Sequence, residues 1–218
     1  MESFDPTFLR NGVLFFLILV SSLCVHEWAH AWTAWKLGDD TALRAGRVTL
    51  NPINHIDLVG TIIFPLVCIF LLQGVFLFGW AKPVPVNVTR FKNLRFDDFL
   101  TTFAGPFSNL LIAVGVAIVG GFAQRLDPLF AELTIKTIAV NITLFLFNLL
   151  PIPPLDGGRI LRVVIGMTWE TFARISSWSM IALIVALNLI PGLSNGLGML
   201  MSQLAHPLIL ISLMIGRA

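Results

Sequence analysis

The sequence predicts an all-α polytopic membrane protein with about five spanning helices, a re-entrant segment and a short membrane-associated strand. Hydrophobic residues make up 56% of the 218 residues and charged residues only 12%, whereas soluble domains average about 25% charged residues. Several apolar runs are long enough to cross a lipid bilayer, and most basic residues lie between these runs. The formal net charge of +2 is too small to indicate a nucleic-acid-binding protein.

The first part of the chain predicts one spanning helix, a strand and a membrane segment that turns back. The apolar run Gly12–Leu37 is long enough to span. Alternating residues in "RVTL", Arg47–Leu50, favour a short strand that the following Asn-Pro pair ends. The apolar segment Leu58–Trp80 contains Pro65 and Gly74, which permit a turn inside it.

The second part of the chain predicts four further helices and one sharp break. Asp98–Phe122 and Leu129–Leu149 each have the length and apolar character of a spanning helix. The proline-rich stretch "LLPIPPLDGGRIL" then interrupts the chain, and a short helix follows to about Met167. Phe172–Ile190 and Gly196–Ile215 predict a closing helical hairpin, with its turn at the Pro-Gly pair between them.

The stretch "LCVHEWAH" places His26, Glu27 and His30 inside an apolar run. Ionisable groups in hydrocarbon are costly and usually functional. The two histidines are four residues apart, so they share one helix face and can bind one metal ion. Glu27 can then reach a water on that metal, which is the H-E-x-x-H arrangement of zinc metalloproteases. The alternative is a polar network between helices that holds no metal.

A catalytic zinc ion needs a third protein ligand and one open coordination position. Asp156 in "PIPPLDGGRIL" stands out, because broken backbone in a membrane is tolerated where it lines a cavity or is buried in protein. An equally good interpretation is that Asp156 caps the short helix that follows it. The other candidates are His55, His206, Asp57, Asp97, Asp98 and Asp127.

Three motifs in order, "HEWAH", "AGPFSN" and "FNLLPIPPLDGGR", resemble the site-2 protease family of intramembrane zinc metalloproteases. The resemblance covers roughly Gly12 to Arg162. The phrases "NPINHIDLVGT" and "FGWAKPVPVN" further resemble a compact subgroup without PDZ or CBS domains. Because nearly all of the chain is apolar segment or short loop, we expect a single membrane-embedded domain over residues 1–218. Its catalytic core is expected at about residues 12–167 and its C-terminal hairpin at about residues 172–216.

The same resemblance implies the ligands and the base of a hydrolytic site. His26, His30 and Asp156 would bind one Zn²⁺ ion, and Glu27 would be the catalytic base. The implied reaction is hydrolysis of peptide bonds in or near transmembrane segments of protein substrates within the lipid bilayer.

Three further residues are candidates for contact with the substrate. The resemblance implies that Asn109 and Asn148 line the site, where either amide could hydrogen-bond the substrate backbone or the developing oxyanion. Each could instead be a buried amide that joins two helices. His55 could approach the substrate or the zinc ion, although a loop histidine after Asn-Pro is more often a structural hydrogen-bond partner.

Two other functions use the same residues. A metal transporter or metal-binding membrane protein would need polar residues across the whole bilayer, and the predicted helices are apolar in their outer halves. An inactive scaffold that binds transmembrane partners would have no need of Glu27. Cleavage of a transmembrane substrate that is lost with a chelator would separate both from a protease.

The ligand set constrains the topology. His26 and His30 lie late in the first helix and Asp156 follows Leu129–Leu149, so these two helices must run in the same direction. Because Asp98–Phe122 supplies one crossing between them, Leu58–Trp80 must enter and leave on one side. Eleven of the fourteen basic residues then share a side, which the positive-inside rule assigns to the cytoplasm of a plasma membrane, near the active site. They are Lys36, Arg44, Arg47, Lys82, Arg90, Lys92, Arg95, Arg159, Arg162, Arg174 and Arg217.

Overall fold

The computed structural model describes residues 6–70 and 79–217, and helices dominate this part of the chain. The all-α polytopic class is confirmed, since five of the described helices are long and apolar enough to cross a membrane. The α-helices are α1 (Pro6–Lys36), α2 (Thr41–Arg44), α3 (Phe64–Phe70), α4 (Leu94–Ala123), α5 (Leu129–Asn148), α6 (Asp156–Ile165), α7 (Trp169–Leu189) and α8 (Pro191–Arg217), and a π-helix (Leu58–Ile63) leads into α3. The five long ones are α1, α4, α5, α7 and α8.

Local capping explains why α4 begins before the predicted Asp98. The Asn93 side chain accepts a hydrogen bond from Phe96 N at 3.2 Å. In return, the Asp97 carboxylate accepts one from Asn93 N at 2.9 Å. These reciprocal bonds satisfy backbone groups that the first turn of a helix leaves without partners. They therefore start α4 at Leu94.

α1 and α5 run in the same direction, as a shared ligand set requires. Arg10 near the start of α1 pairs with Glu132 near the start of α5 at 2.8 Å. Further along both helices, Asn141 donates to Ser22 Oγ at 3.0 Å. The predicted parallel arrangement of the two helices is therefore present.

The segment Leu58–Trp80 returns to the place where it begins. Trp80 N donates to Gly60 O at 3.1 Å, and Thr61 Oγ1 donates to Trp80 O at 2.7 Å. The predicted turn at Gly74 lies outside the described residues. Because the two flanks are hydrogen-bonded to each other, the segment enters and leaves on one side of the bundle.

The loops on either side of this segment are also joined. Asn87 N donates to Asp39 Oδ2 at 2.6 Å, and Arg90 forms an ion pair with Asp40. The loop after α1 and the loop before α4 therefore lie on the same side of the protein.

The predicted strand at Arg47–Leu50 is wrong, since the described residues contain no β-strand. The Arg47 guanidinium instead turns onto the carbonyl oxygens of Lys82 and Pro83. A strand needs a partner that offers both backbone donors and acceptors. The segment that Arg47 contacts carries Pro83 and Pro85, which have no N–H to donate.

α8 runs parallel to α4. Met201, in the first half of α8, lies beside Thr143 in the C-terminal half of α5, with 3.7 Å between Sδ and Oγ1. At the other end, Arg125 after α4 donates to Ile215 O at 3.0 Å. α8 therefore starts on the side of the bundle where α5 ends, and Arg217 lies on the opposite side from the one predicted.

α7 starts on that same side, because Trp169 at its first turn packs on the guanidinium of Arg162 in α6. α7 leads directly into α8. The closing hairpin at about residues 172–216 stays a prediction. In α4, the small side chains of Ala113 and Ala117 let Ala205 of α8 pack closely.

Close contact between α4 and α5 predicts a sharp contrast between two glycines. A Cβ at Gly120 would clash with the Thr134 side chain, whereas a Cβ at Gly115 would meet nothing within 4 Å. We expect Gly120→Ala to destabilise the fold by about 1–3 kcal/mol through overpacking. Gly115→Ala is the matched control and should be neutral or stabilising. Thermal unfolding in detergent measures both, and equal midpoints for the two variants would contradict this packing.

The return of Leu58–Trp80 predicts that the two flanking loops are labelled from one side. Cysteines introduced at Arg44 and Arg95 should react with an impermeant thiol reagent in vesicles of one orientation only. A cysteine at Leu126, between α4 and α5, should react only in the opposite orientation. The natural cysteines are buried and give little background. Labelling of positions 44 and 95 from opposite sides would exclude a re-entrant segment.

Candidate active site

Three side chains that lie far apart in the sequence meet at one point. His26 Nε2 and His30 Nε2 of α1 lie 3.1 and 3.3 Å from Asp156 Oδ2 at the first residue of α6. The two Nε2 atoms are themselves 3.1 Å apart. Both histidines are buried. The predicted cluster of one carboxylate and two imidazoles is therefore assembled.

The other nitrogen of each imidazole is already used. His26 Nδ1 lies 2.7 Å from Asn109 Oδ1, and His30 Nδ1 lies 2.7 Å from the backbone oxygen of Thr101. Both oxygens are acceptors, so each Nδ1 carries the hydrogen in a neutral ring. The lone pairs at Nε2 consequently point at one another and at the carboxylate of Asp156.

This arrangement of donor atoms fits a zinc ion. Two lone pairs and a carboxylate oxygen at 3.1–3.3 Å repel one another unless a cation lies between them. Asp156 Oδ2 is buried and has no hydrogen-bond partner within the described part of the chain. Ligands about 2 Å from a tetrahedral zinc ion are separated by about 3.3 Å. The geometry and the chemistry of the three donors are therefore those of a zinc site.

The alternative role of Asp156 as a helix cap is not what the structure shows. Leu155 occupies the position before the first turn of α6, and the cap makes no side-chain hydrogen bond. Asp156 is the first helical residue, and its carboxylate lies against the histidines. A Cβ at Gly157 would clash with Leu149 O, so this glycine lets α6 start close to the end of α5.

A buried ion cluster holds α6 against α4. Asp98, which is 1% exposed, accepts from Arg159 Nη2 at 2.7 Å and from Arg162. Charged hydrogen bonds of this kind are stronger than neutral ones. They fix the helix that carries Asp156, so Asp98 supports the site without being a ligand.

Gly105 in the "AGPFSN" motif makes room for the two imidazoles. A Cβ at this position would clash with His30 Nε2 and would lie 2.7 Å from His26 Nε2. The following residue, Pro106, cannot donate a hydrogen bond to the helix carbonyl one turn earlier. α4 can therefore approach α1 closely at the level of the metal ligands.

Glu27 lies in the same cavity as the three ligands. Its Oε2 accepts a hydrogen bond at 3.1 Å from the backbone N–H of Val84. The loop that carries Val84 is held by Arg47, which donates to the preceding carbonyl oxygens. One carboxylate oxygen of Glu27 is thus oriented by the loop, in the cavity that the three ligands also line.

The structure places the three remaining candidates differently. Asn148 lines the cavity, and its Nδ2 donates to Leu144 O at 2.9 Å, so its Oδ1 can still accept a bond. Asn109 is fully buried behind the imidazoles and contacts His26. His55 is buried in its loop with Nε2 2.8 Å from Thr49 O, and it does not join the ligand cluster. Burial lowers the pKa of His55, which favours the neutral ring.

Sequence reasoning missed Asn141 of α5. Its Oδ1 accepts from Asn109 Nδ2 at 3.0 Å, and its own Nδ2 donates to Ser22 Oγ and to Thr137 O. An amide inside an apolar helix is the signal that could have indicated it. Asn141 also lies seven residues before Asn148, about two helical turns away on the same face.

A cavity of about 1590 Å³ extends from the ligand cluster along α1. The α1 residues that line it run from Phe8 to His30, which corresponds to about 33 Å of helix. Beyond the cluster the walls are mainly apolar, and Asn11 and Lys136 lie at the far end. The cavity is therefore about as long as a membrane span.

Comparison with known proteins gives consistent matches. Residues 130–190 match the family model described as Peptidase family M50. The chain is 44% identical over 158 residues to "Putative zinc metalloprotease YwhC" of Bacillus subtilis, and this alignment covers 67% of this chain. It is 32% identical over 171 residues to "Putative zinc metalloprotease Rip2" of Mycolicibacterium smegmatis, and this alignment covers 76% of this chain. No solved structure matches significantly.

These matches cover 66% and 63% of the two relatives, so the chain spans just under two thirds of their length. Identity is nevertheless high across most of this chain, and the ligand cluster has the composition that a zinc metalloprotease requires. The chain belongs to peptidase family M50, the site-2 protease family.

Proposed function

We propose that this protein is an intramembrane zinc endopeptidase that hydrolyses peptide bonds in or next to membrane-spanning segments of other proteins. His26, His30 and Asp156 hold one zinc ion, and Glu27 is the catalytic base. The observation that carries the proposal is the convergence of these three donor atoms at 3.1–3.3 Å in a buried site beside Glu27.

A zinc ion held by His26, His30 and Asp156 would supply an activated water and would polarise the scissile carbonyl. Glu27 would accept a proton from the attacking water and return it to the leaving amine. The Val84 N–H holds the carboxylate in place, so little reorientation is needed when the proton moves. Asn148 Oδ1 or Nδ2 can hydrogen-bond the substrate backbone, because this residue lines the same cavity as the ligands.

The shape and polarity of the cavity favour a membrane-spanning substrate. An apolar groove about 33 Å long beside α1 matches the length of a transmembrane helix. Its apolar walls also disfavour ion transport, which would need polar groups along the whole path. A substrate helix must unwind at the ligands, since a helix hides its peptide bonds in its own hydrogen bonds.

We place the active site nearer the cytoplasmic side of a plasma membrane. The loops that carry Lys36, Arg44, Arg90, Lys92 and Arg95 lie on the same side of the bundle as the ligand cluster. The positive-inside rule assigns such a side to the cytoplasm, and the bias persists without Arg217. Trp32 and Trp35, exposed near the end of α1, are typical of a membrane interface at that depth.

Glu27→Gln should remove catalysis and leave the zinc site intact. Loss of the proton acceptor is expected to lower kcat/KM by about 10²–10⁴-fold. Cleavage of a model transmembrane substrate in proteoliposomes measures the rate, and metal analysis measures zinc content. Glu170→Gln, an exposed glutamate at the start of α7, is the matched control and should retain full activity. Wild-type activity of Glu27→Gln would refute the assignment of the base.

Asp156→Asn should weaken zinc binding, because a neutral amide replaces the anionic ligand. We expect a loss of more than about 100-fold in affinity, beyond the range typical of residues that only support a ligand. Competition with a fluorescent chelator measures this in detergent. Asp127→Asn, in the loop before α5, is the control. Unchanged affinity in Asp156→Asn would exclude this aspartate as the third ligand.

A further inference from the structure

We propose that Asn141 and Asn109 form a relay of two side-chain amides between the backbone carbonyl of Thr137 and the imidazole of His26. The hydrogen bonds along this relay fix the tautomer of His26. The relay makes His26 present a lone pair at Nε2, the atom that faces the metal site. The inference rests on the proposed function only in so far as that function gives His26 the role of a zinc ligand.

The relay starts at an atom whose role cannot change. Thr137 O is a backbone carbonyl oxygen, so it can only accept a hydrogen bond. The Asn141 side-chain atom 2.9 Å from it must therefore be the NH₂ group, Nδ2. This orientation sends the second hydrogen of the same group to Ser22 Oγ at 3.0 Å. It leaves Asn141 Oδ1 facing Asn109.

The orientation of Asn141 then determines that of Asn109. Asn141 Oδ1 accepts at 3.0 Å, so Asn109 must present Nδ2 to it. The backbone oxygen of Ser22, 3.5 Å from the same nitrogen, requires the same orientation, since it too can only accept. Asn109 Oδ1 is thereby turned toward His26.

The last step sets the imidazole. Asn109 Oδ1 can only accept from His26 Nδ1 at 2.7 Å, so Nδ1 carries the hydrogen. Nε2 of the neutral ring is then a lone-pair donor, which is the form that binds a metal. If either amide were reversed, the hydrogen would move to Nε2, where it would oppose metal binding.

Burial makes the relay rigid. Asn109 and Asn141 are 0% exposed, so water does not compete for their hydrogen bonds. All four amide hydrogens have acceptors among the described residues. A buried amide that turned over would lose several of these bonds at once. His30 needs no such relay, because Thr101 O contacts its Nδ1 directly.

The first test is spectroscopic and independent of catalysis. Nitrogen-15 NMR of zinc-free protein with labelled histidine should assign the hydrogen of His26 to Nδ1. Asn141→Leu should convert part of the His26 population to the tautomer with the hydrogen on Nε2. Thr134→Val, which replaces a buried polar residue two turns earlier on α5, is the matched control and should leave the spectrum unchanged.

The second test is zinc affinity, measured by chelator competition on the full chain. Removal of a partner that orients a ligand typically costs 10–100-fold in metal affinity. We expect Asn109→Leu and Asn141→Leu each to lower zinc affinity by about 10-fold or more, with an altered visible spectrum of bound Co²⁺. Because they act through the same contact, the double variant should bind zinc about as well as Asn109→Leu.

The outcomes separate the relay from the proposed function. Wild-type zinc-free protein with the hydrogen of His26 on Nε2 would overturn the relay even if no variant folded. Wild-type affinity of Asn141→Leu, or fully additive losses in the double variant, would also overturn it. If the wild-type protein bound no zinc, the proposed function would fail instead, while the tautomer measurement would still decide the relay.

Discussion

Two imidazole lone pairs and a carboxylate oxygen lie within 3.1–3.3 Å of one another inside an apolar bundle, and a cation is what makes this contact favourable. The rest of the architecture follows from that contact. The donors come from late in α1 and from just after α5, so the two helices have to be parallel. α4 supplies one crossing between them, and Leu58–Trp80 therefore has to return to its own side. The hydrogen bond from Trp80 to Gly60 is the local consequence of this requirement.

One face of α4 contacts the metal ligands in its first half and packs against other helices in its second half. We call this face the α4 stripe. Residues three or four apart share a helix face. On this face of α4, Asp98 holds α6 and Thr101 O accepts a hydrogen bond from His30. Further along, Gly105 leaves space for the two imidazoles and Asn109 accepts a hydrogen bond from His26. The stripe then continues with alanines, against which α5 and α8 close. α4 therefore positions the metal ligands with the polar half of this face. It packs in the core with the half that carries small residues. Without close packing in the second half, the first half could not hold donors at such short separations.

The parts of the site that could be predicted are those with a local pattern. The spacing of His26 and His30 places both on one face of any helix. Asp156 lies at a break in the helical backbone, which a membrane accommodates only where the backbone is buried in protein or lines a cavity. Partners that are backbone atoms, such as Thr101 O and Val84 N–H, have no signature, because every residue carries the same groups. The direction of α8 is hidden for a similar reason, since lipid-facing and core-facing residues are equally apolar in a membrane. The strand expected at Arg47–Leu50 failed because alternation cannot reveal whether a partner strand exists.

The loop that orients Glu27 gains its role from prolines that prevent it from joining a sheet. The residue before a proline is restricted to extended backbone, so Lys82 and Val84, which precede Pro83 and Pro85, keep this segment stretched. Successive N–H groups of an extended chain point to opposite edges, and both prolines remove the donors of one edge. The other edge keeps its donors, and the Val84 N–H on that edge binds the Glu27 carboxylate. A regular strand would offer donors on both edges and could pair with a neighbour. This segment donates from one edge, from Lys82 N to His55 O at 2.9 Å and from Val84 N to Glu27. The same feature that excludes a β-sheet therefore supplies a fixed donor for the catalytic base.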